Sequence, residues 1–281
     1  MLRVAVGENM NQPPSDHSID LTHGAVHIRN MSFDISNILD DWDYQPGQVV
    51  VRKFKAKDGV EKIQLRVDLG LLQMNAHGRP DGRRPFGSES LLEHYLAQLE
   101  KFRQTHDGET KDFRLTPEDC SKLQQEAIQY HHRYICLFQL EDFEGVNRDA
   151  ERNLRVFDFV QQYAGLDELA WSLQQFRPQL LMMRVRAKGA LVLKADLYDK
   201  AIELIEIGIE EIRQFYREHE RQDLLEQSGE IHSLEAWLQE IQTKRPLSPR
   251  EKLETALNEA VENEDYEKAA KVRDALKNLK T

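Results

Sequence analysis

Glu141-Asp142-Phe143-Glu144-Gly145-Val146, Asp196-Leu197-Tyr198-Asp199-Lys200-Ala201 and Glu264-Asp265-Tyr266-Glu267-Lys268-Ala269 are three versions of one corner. Each has an aromatic residue three positions ahead of a small or modest apolar one, a spacing that puts both on one helix face. The acidic residues fall where a second helix begins. There they complement its positive dipole end and can cap its free N–H groups.

Ahead of each corner runs a helix with apolar residues at helical spacing. In the first unit these are Ile128, Ile135, Leu137, Phe138 and Leu140, and in the second Leu180, Leu181, Val185, Ala190, Leu191 and Leu193. The helix after the second corner repeats Ala201, Ile202, Leu204, Ile205, Ile209, Ile212 and Phe215, a wide apolar stripe. A two-helix hairpin cannot bury such a stripe alone, so neighbouring hairpins must stack on it.

The second unit resembles a tetratricopeptide (TPR) repeat. Gly189, Tyr198, Ala201 and Gly208 fall on that family's usual positions, Gly189 where helices approach closely. The first unit departs from it at Tyr134 and Val146, where small residues are preferred, and an extra helix over Leu166 to Phe176 separates the units. The expected body is therefore TPR-like, over residues 116–245. On such a body His131, with Ile128, Ile135 and Phe138, lines the concave groove, and Arg186, with Met183, Ala190 and Leu193, is its counterpart in the second unit. The alternative is a packed interior with exposed charges.

The third unit carries the more specific string, Tyr266-Glu267-x-Ala269-Ala270-x-x-Arg273-Asp274, with Leu253 and Leu257 before it and Leu276 and Leu279 after it. It resembles the UVR motif shared by the UvrB and UvrC repair proteins. The resemblance implies a short antiparallel helical hairpin over residues 247–281 that pairs with another hairpin of its kind or with itself. Its packing face would hold Tyr266, Ala269, Ala270 and Leu276 beside Leu253 and Leu257, with Glu267, Arg273 and Asp274 as charged partners. The motif also occurs in adaptors of protein quality control, so it does not by itself dictate DNA repair.

Composition bounds the rest. The chain has 281 residues, 40% hydrophobic and 31% charged, with a formal net charge of −11. That acidity argues against a broad phosphate-binding face, which needs clustered Lys and Arg, while leaving room for a local basic patch. Two cysteines, Cys120 and Cys136, give neither a disulfide framework nor a CxxC motif, as in a reducing cytoplasm. No apolar run approaches the ~20 residues of a membrane span, and no signal-peptide pattern opens the chain.

Residues 1–30 read as a flexible tail, with Met31 a candidate true start. Residues 31–105 read as a small α+β module. Asp40, Asp41 and Asp43 are expected to form a solvated turn around Trp42 rather than a cation site. Val49, Val51 and Phe54 lead to Asp58-Gly59, a favoured hairpin turn. Ile63, Leu65, Val67 and Leu69 then alternate with polar residues. A lone hairpin is marginal. A third strand from residues 26–35 and a covering helix over 89–104, capped at Ser90, are expected. Between them Gly78-Arg79-Pro80-Asp81-Gly82-Arg83-Arg84-Pro85-Phe86-Gly87-Ser88 sets three arginines among three glycines. Arg79, Arg83 and Arg84 are a candidate anion loop. The plainer reading is two tight turns whose arginines pair with the acidic body.

Residues 105–115 read as a polar linker, and Thr116-Pro117 as a helix start. His131 and His132, being adjacent, point to different helix faces and cannot share a metal. No nucleophile elbow, zinc-protease motif, phosphate loop or dinucleotide fingerprint is present, and no cofactor is expected. The expectation is a non-enzymatic scaffold or adaptor with a protein partner. A DNA-repair accessory role is the alternative, and an enzyme with an unrecognised site the third reading.

Overall fold

The computed structural model describes residues 34–279. The expected flexible tail and the start at Met31 fall outside them. The chain divides into two compact units at Asp43 and Tyr44. Of the first, the described part holds one short helix, α1 (Ser36–Asp40), where the Asp34 carboxylate accepts from the Ser36 N–H at 2.9 Å and the Ser36 hydroxyl at 2.6 Å.

The second unit is mainly helical and opens on a three-stranded antiparallel sheet. The strands are β1 (Val50–Lys55), β2 (Glu61–Val67) and β3 (Gly70–Asn75), in that spatial order. The β1–β2 turn uses Gly59 at φ +80°, with the Asp58 carboxylate accepting from the Val60 N–H at 3.0 Å. The expected third strand at 26–35 lies outside the described residues except for Asp34 and Ile35, which are not strand. The third strand seen is β3, which folds back on β2 and sets Met74 opposite Ile63. The turn falls at Asp68–Leu69, which leaves Leu69 exposed rather than on the inner face. Gln64 bridges Arg52 and Gln73 across the other face, at 2.6 and 2.7 Å.

The helices follow as α2 (Leu91–Thr105), α3 (Pro117–Gln139), α4 (Phe143–Tyr163), α5 (Asp167–Gln174), α6 (Arg177–Leu193), α7 (Tyr198–Glu218), α8 (Gln222–Leu225), α9 (Gly229–Lys244), α10 (Pro249–Glu262) and α11 (Tyr266–Asn278). The stack runs α3 on α4, α4 on α6, α6 on α7, and α7 on α9. It is TPR-like, with α5 as the inserted helix. The helix that packs on β2 is α3, while α2 packs on α3. This corrects the expectation that the helix after the arginine loop covers the sheet. The expected linker is also more than polar: Phe113 and Leu115 are buried, and Phe113 meets Phe102 and Tyr163 edge-on at 5.6 and 5.3 Å.

All three corners are helix–turn–helix junctions, and α4, α7 and α11 begin at Phe143, Tyr198 and Tyr266. Two residues before each aromatic, Glu141, Asp196 and Glu264 adopt left-handed φ of 55°, 58° and 57°. The next N–H then reaches back five residues, from Asp142 to Leu137, Leu197 to Val192 and Asp265 to Ala260. This is a Schellman closure without glycine, which satisfies carbonyls that a helix end leaves open. Asp142 and Asp265 also cap the following helix through their side chains, whereas Leu197 cannot.

Two glycines set the spacing of the stack. A Cβ on Gly208 of α7 would stand 2.2 Å from Val185 Cγ2 of α6, and one on Gly189 of α6 would stand 2.6 Å from the Trp237 ring of α9. Both helix pairs therefore approach more closely than any side chain at those positions would allow.

Candidate interaction surfaces

Charges stand in the core register of α3 and α4. Glu126, Arg133, Asp149 and Asn153 are buried among Leu123, Ala127, Leu137, Val146 and Ala150. Buried charges need partners, and these are well supplied. Arg133 donates to both Asp149 oxygens, Nε at 2.6 Å and Nη2 at 2.8 Å. Its Nη1 donates to the carbonyls of Gly78 at 2.6 Å and Asn75 at 3.1 Å. Glu126 Oε1 accepts from Arg79 Nε and from the Leu91 N–H, both at 2.8 Å, while Arg152 pairs with Oε2. The guanidinium carbons of Arg133 and Arg152 lie 4.8 and 4.1 Å from the Tyr130 ring centroid. Burial, with Arg79 and Arg155 nearby, pulls the Arg152 guanidinium down to about 9, so it stays charged at neutral pH.

This network takes up one of the three arginines of the loop. Arg79 is an internal strut, held by Glu126 and, at 3.0 Å, by Asp81. One carboxylate oxygen of Glu126 thus pins the loop at both ends, at Arg79 and at Leu91. Arg83 and Arg84 remain at the exposed tip. Arg84 makes a 3.3 Å contact with Glu89, and Arg83 has no side-chain partner among the described residues. Beside them Phe86 is 68% exposed, at a left-handed φ of 52°, and stacks on His94 at 4.2 Å. Such a backbone costs an L-residue about 1–2 kcal/mol, which the pinned loop must offset.

The groove residues separate. His131 lines a cavity of about 290 Å³ between α3, α4, α5 and α6, with Ile128, Tyr134, Phe157, Phe176 and Leu180 also in its wall. Its Nδ1 lies 2.6 Å from the Tyr134 hydroxyl. Burial, and then the neighbouring His132, lowers its pKa and keeps it neutral at pH 7. Phe138 instead meets Phe143 edge-on at 5.6 Å, by the first corner. Arg186 is taken up by α9, donating to the Ser233 hydroxyl at 2.6 Å and lying over the Trp237 ring. Neither lines the cavity. Burial pushes the Cys136 thiol up to about 12 and raises Cys120, so neither is a ready nucleophile. Among the described residues, no group of three or more His, Cys, Asp or Glu is placed to hold a metal ion, and no helix is long and apolar enough to cross a membrane.

The terminal hairpin stands apart from the core. α10 and α11 pack on each other, and among the described residues neither packs along another helix. Ala260 and Ala269 are its buried residues, outside the main core cluster. Leu253, Leu257, Ala270 and Leu276 are half-buried, while Tyr266 is 70% and Val261 52% exposed. The expected packing face is thus divided. Ala269 faces its own hairpin's seam, and Tyr266 is open. Glu267 pairs with Lys271 at 2.7 Å and Arg273 with Asp274 at 3.1 Å, all on the surface.

Residues 249–281 match the UvrB/uvrC (UVR) motif. The match covers the hairpin and leaves the helical body and sheet unassigned. No curated protein and no solved structure matches the chain.

The UVR hairpin begins at a formed capping box. The Ser248 hydroxyl accepts from the Glu251 N–H at 3.1 Å, and Glu251 accepts from the Ser248 N–H at 2.7 Å. Arg245 pairs with Glu251 and, at 3.0 Å, with Asp199 at the start of α7. The Ser248 N–H first, then Arg245, hold the Glu251 carboxyl at about 2, against its usual 4.5. A depressed folded pKa gives a contribution that is complete above the unfolded value and lost as pH falls through the folded one. The hairpin's attachment is therefore expected to loosen between pH 4.5 and about 2. A carboxyl-carbon NMR titration should place the Glu251 midpoint near the lower figure. A midpoint at the usual glutamate value would mean the box is not formed in solution.

Proposed function

We propose that this chain is a non-enzymatic adaptor that engages a protein partner through its UVR hairpin, with the TPR-like body as the rigid platform. One observation carries the reading: a hairpin that matches the UVR motif, stands off the core and leaves its leucines only half covered. Helices of 14 and 13 residues are marginal alone in water. With only two alanines fully buried between them, they gain from a second hairpin laid over Leu253, Leu257 and Leu276. That partner is a UVR-type hairpin on another protein or on a second copy. The buried charges of Glu126, Arg133 and Asp149 are taken up in ion pairs, which favours a scaffold over an enzyme.

The test is co-purification from the native cell with the full chain and with a chain lacking residues 247–281. The truncated form is expected to lose its partner while its body keeps the helical circular-dichroism spectrum. Retention of every partner would remove the hairpin's role. The second reading, a DNA-repair accessory, draws on the motif's link to UvrB and UvrC and on exposed Arg83 and Arg84. It requires duplex affinity that falls steeply with salt, and salt-independent or absent binding disposes of it.

A further inference from the structure

We propose that the tip of the arginine loop, Arg83 to Phe86, receives the acidic corner of the UVR hairpin, Glu262 to Glu267, from a second copy of this chain. The tip is preorganised. Arg79 and Leu91, on either side of it, are held by the same oxygen of Glu126, and Arg133 holds the Gly78 carbonyl. A surface that is already ordered loses little entropy on binding. It presents an exposed aromatic beside two exposed arginines, the residue types that dominate interface energetics.

The corner is its complement in charge. Tyr266 is 70% exposed and stands among Glu262, Glu264, Asp265 and Glu267, all exposed. Glu262 and Glu264 have no cationic partner among the described residues, just as Arg83 has no anionic one. On a chain with net charge −11, a cationic tip is a local exception, and an acidic segment is drawn to it.

The two surfaces belong to different copies because the stack keeps them apart. The loop is fastened to α3 and α4, the hairpin leaves from the end of α9, and α6 and α7 lie between. The contact is consequently head-to-tail, which closes into a ring or continues as a chain. It is small and polar, so the association is weak and screened by salt. The proposal does not require hairpin-on-hairpin pairing, and the two can be told apart.

The test is sedimentation velocity of the full chain over a concentration series, at about 0.1 M and about 1 M salt. The expected result is self-association that weakens at high salt. Arg83→Glu/Arg84→Glu and Glu262→Lys/Glu264→Lys should each weaken it by about tenfold or more, and an equimolar mixture of the two variants should restore it. All four positions are exposed, so each variant should melt as the parent does. A parent that stays monomeric throughout overturns the proposal. So does a parent whose association survives Arg83→Glu/Arg84→Glu. In that second case, loss of association on removing residues 247–281 would leave the hairpin's own pairing standing.

Discussion

Asp149→Ala is expected to cost about 3–5 kcal/mol of stability, the range for stranding one member of a buried ion pair. Both Arg133 and Asp149 side chains are 1% exposed and joined by two hydrogen bonds. Without the carboxylate, Arg133 cannot swing to water, because its Nη1 still holds the carbonyls of Gly78 and Asn75. Arg148 also loses its 3.0 Å partner on the same carboxylate. For a unit of this size the loss corresponds to a melting temperature lower by roughly 10 °C. The double change Arg133→Met/Asp149→Leu removes both charges and fills much of the space, and should recover most of that loss. Urea unfolding of the parent, the single and the double variant checks this. A single variant within about 1 kcal/mol of the parent, or no recovery in the double, would show that the pair is not buried as described.

Gly208→Val is expected to cost roughly 2–3 kcal/mol, and the sign follows from two opposed effects. Replacing glycine inside a helix gains about 0.5 kcal/mol in propensity for valine. Against that, its Cβ alone would stand 2.2 Å from Val185 Cγ2 and 3.0 Å from Cγ1. Both contacts belong to a β-branched side chain that cannot rotate away freely. Overpacking of this kind costs about 1–3 kcal/mol and occasionally more, so the steric effect wins. Val185→Ala in the same chain should relieve the clash, giving a coupling between the two positions well above the ~0.5 kcal/mol of independent sites. The coupling is read from the urea midpoints of the four chains in the cycle. Additive effects would mean that α6 and α7 do not meet at Gly208.

The corners were legible because each combines an aromatic, a helical spacing and acidic residues within six positions. The left-handed residue at each corner was not, since Glu141, Asp196 and Glu264 lack the glycine that usually signals it. The inward face of α3 was legible only in part. Of the apolar set Ile128, Ile135, Leu137, Phe138 and Leu140, only Leu137 is buried, Ile128 is 47% exposed and the other three are half-buried. The inward face holds Leu123, Glu126, Ala127, Tyr130, Arg133 and Leu137. Two charges in that register hide it from any reading that equates charge with solvent. The available signal was the spacing of Glu126 and Arg133 within a run of buried-type residues, together with Asp149 on the next helix.

The sequence by itself determined that this chain forms helical hairpins, where they turn, and that its last 33 residues are of UVR type, because these properties depend on contacts within a few turns of helix. Only the tertiary structure decided which faces meet, that Arg79 is a strut while Arg83 and Arg84 stay at the exposed tip, and that α3 rather than α2 lies on the sheet. Those outcomes rest on carboxylates and guanidinium groups brought together from positions such as Arg79, Glu126 and Arg152. Local spacing carries no record of such encounters, and burial turns each of these charges from a surface group into the tie that holds the loop to the stack.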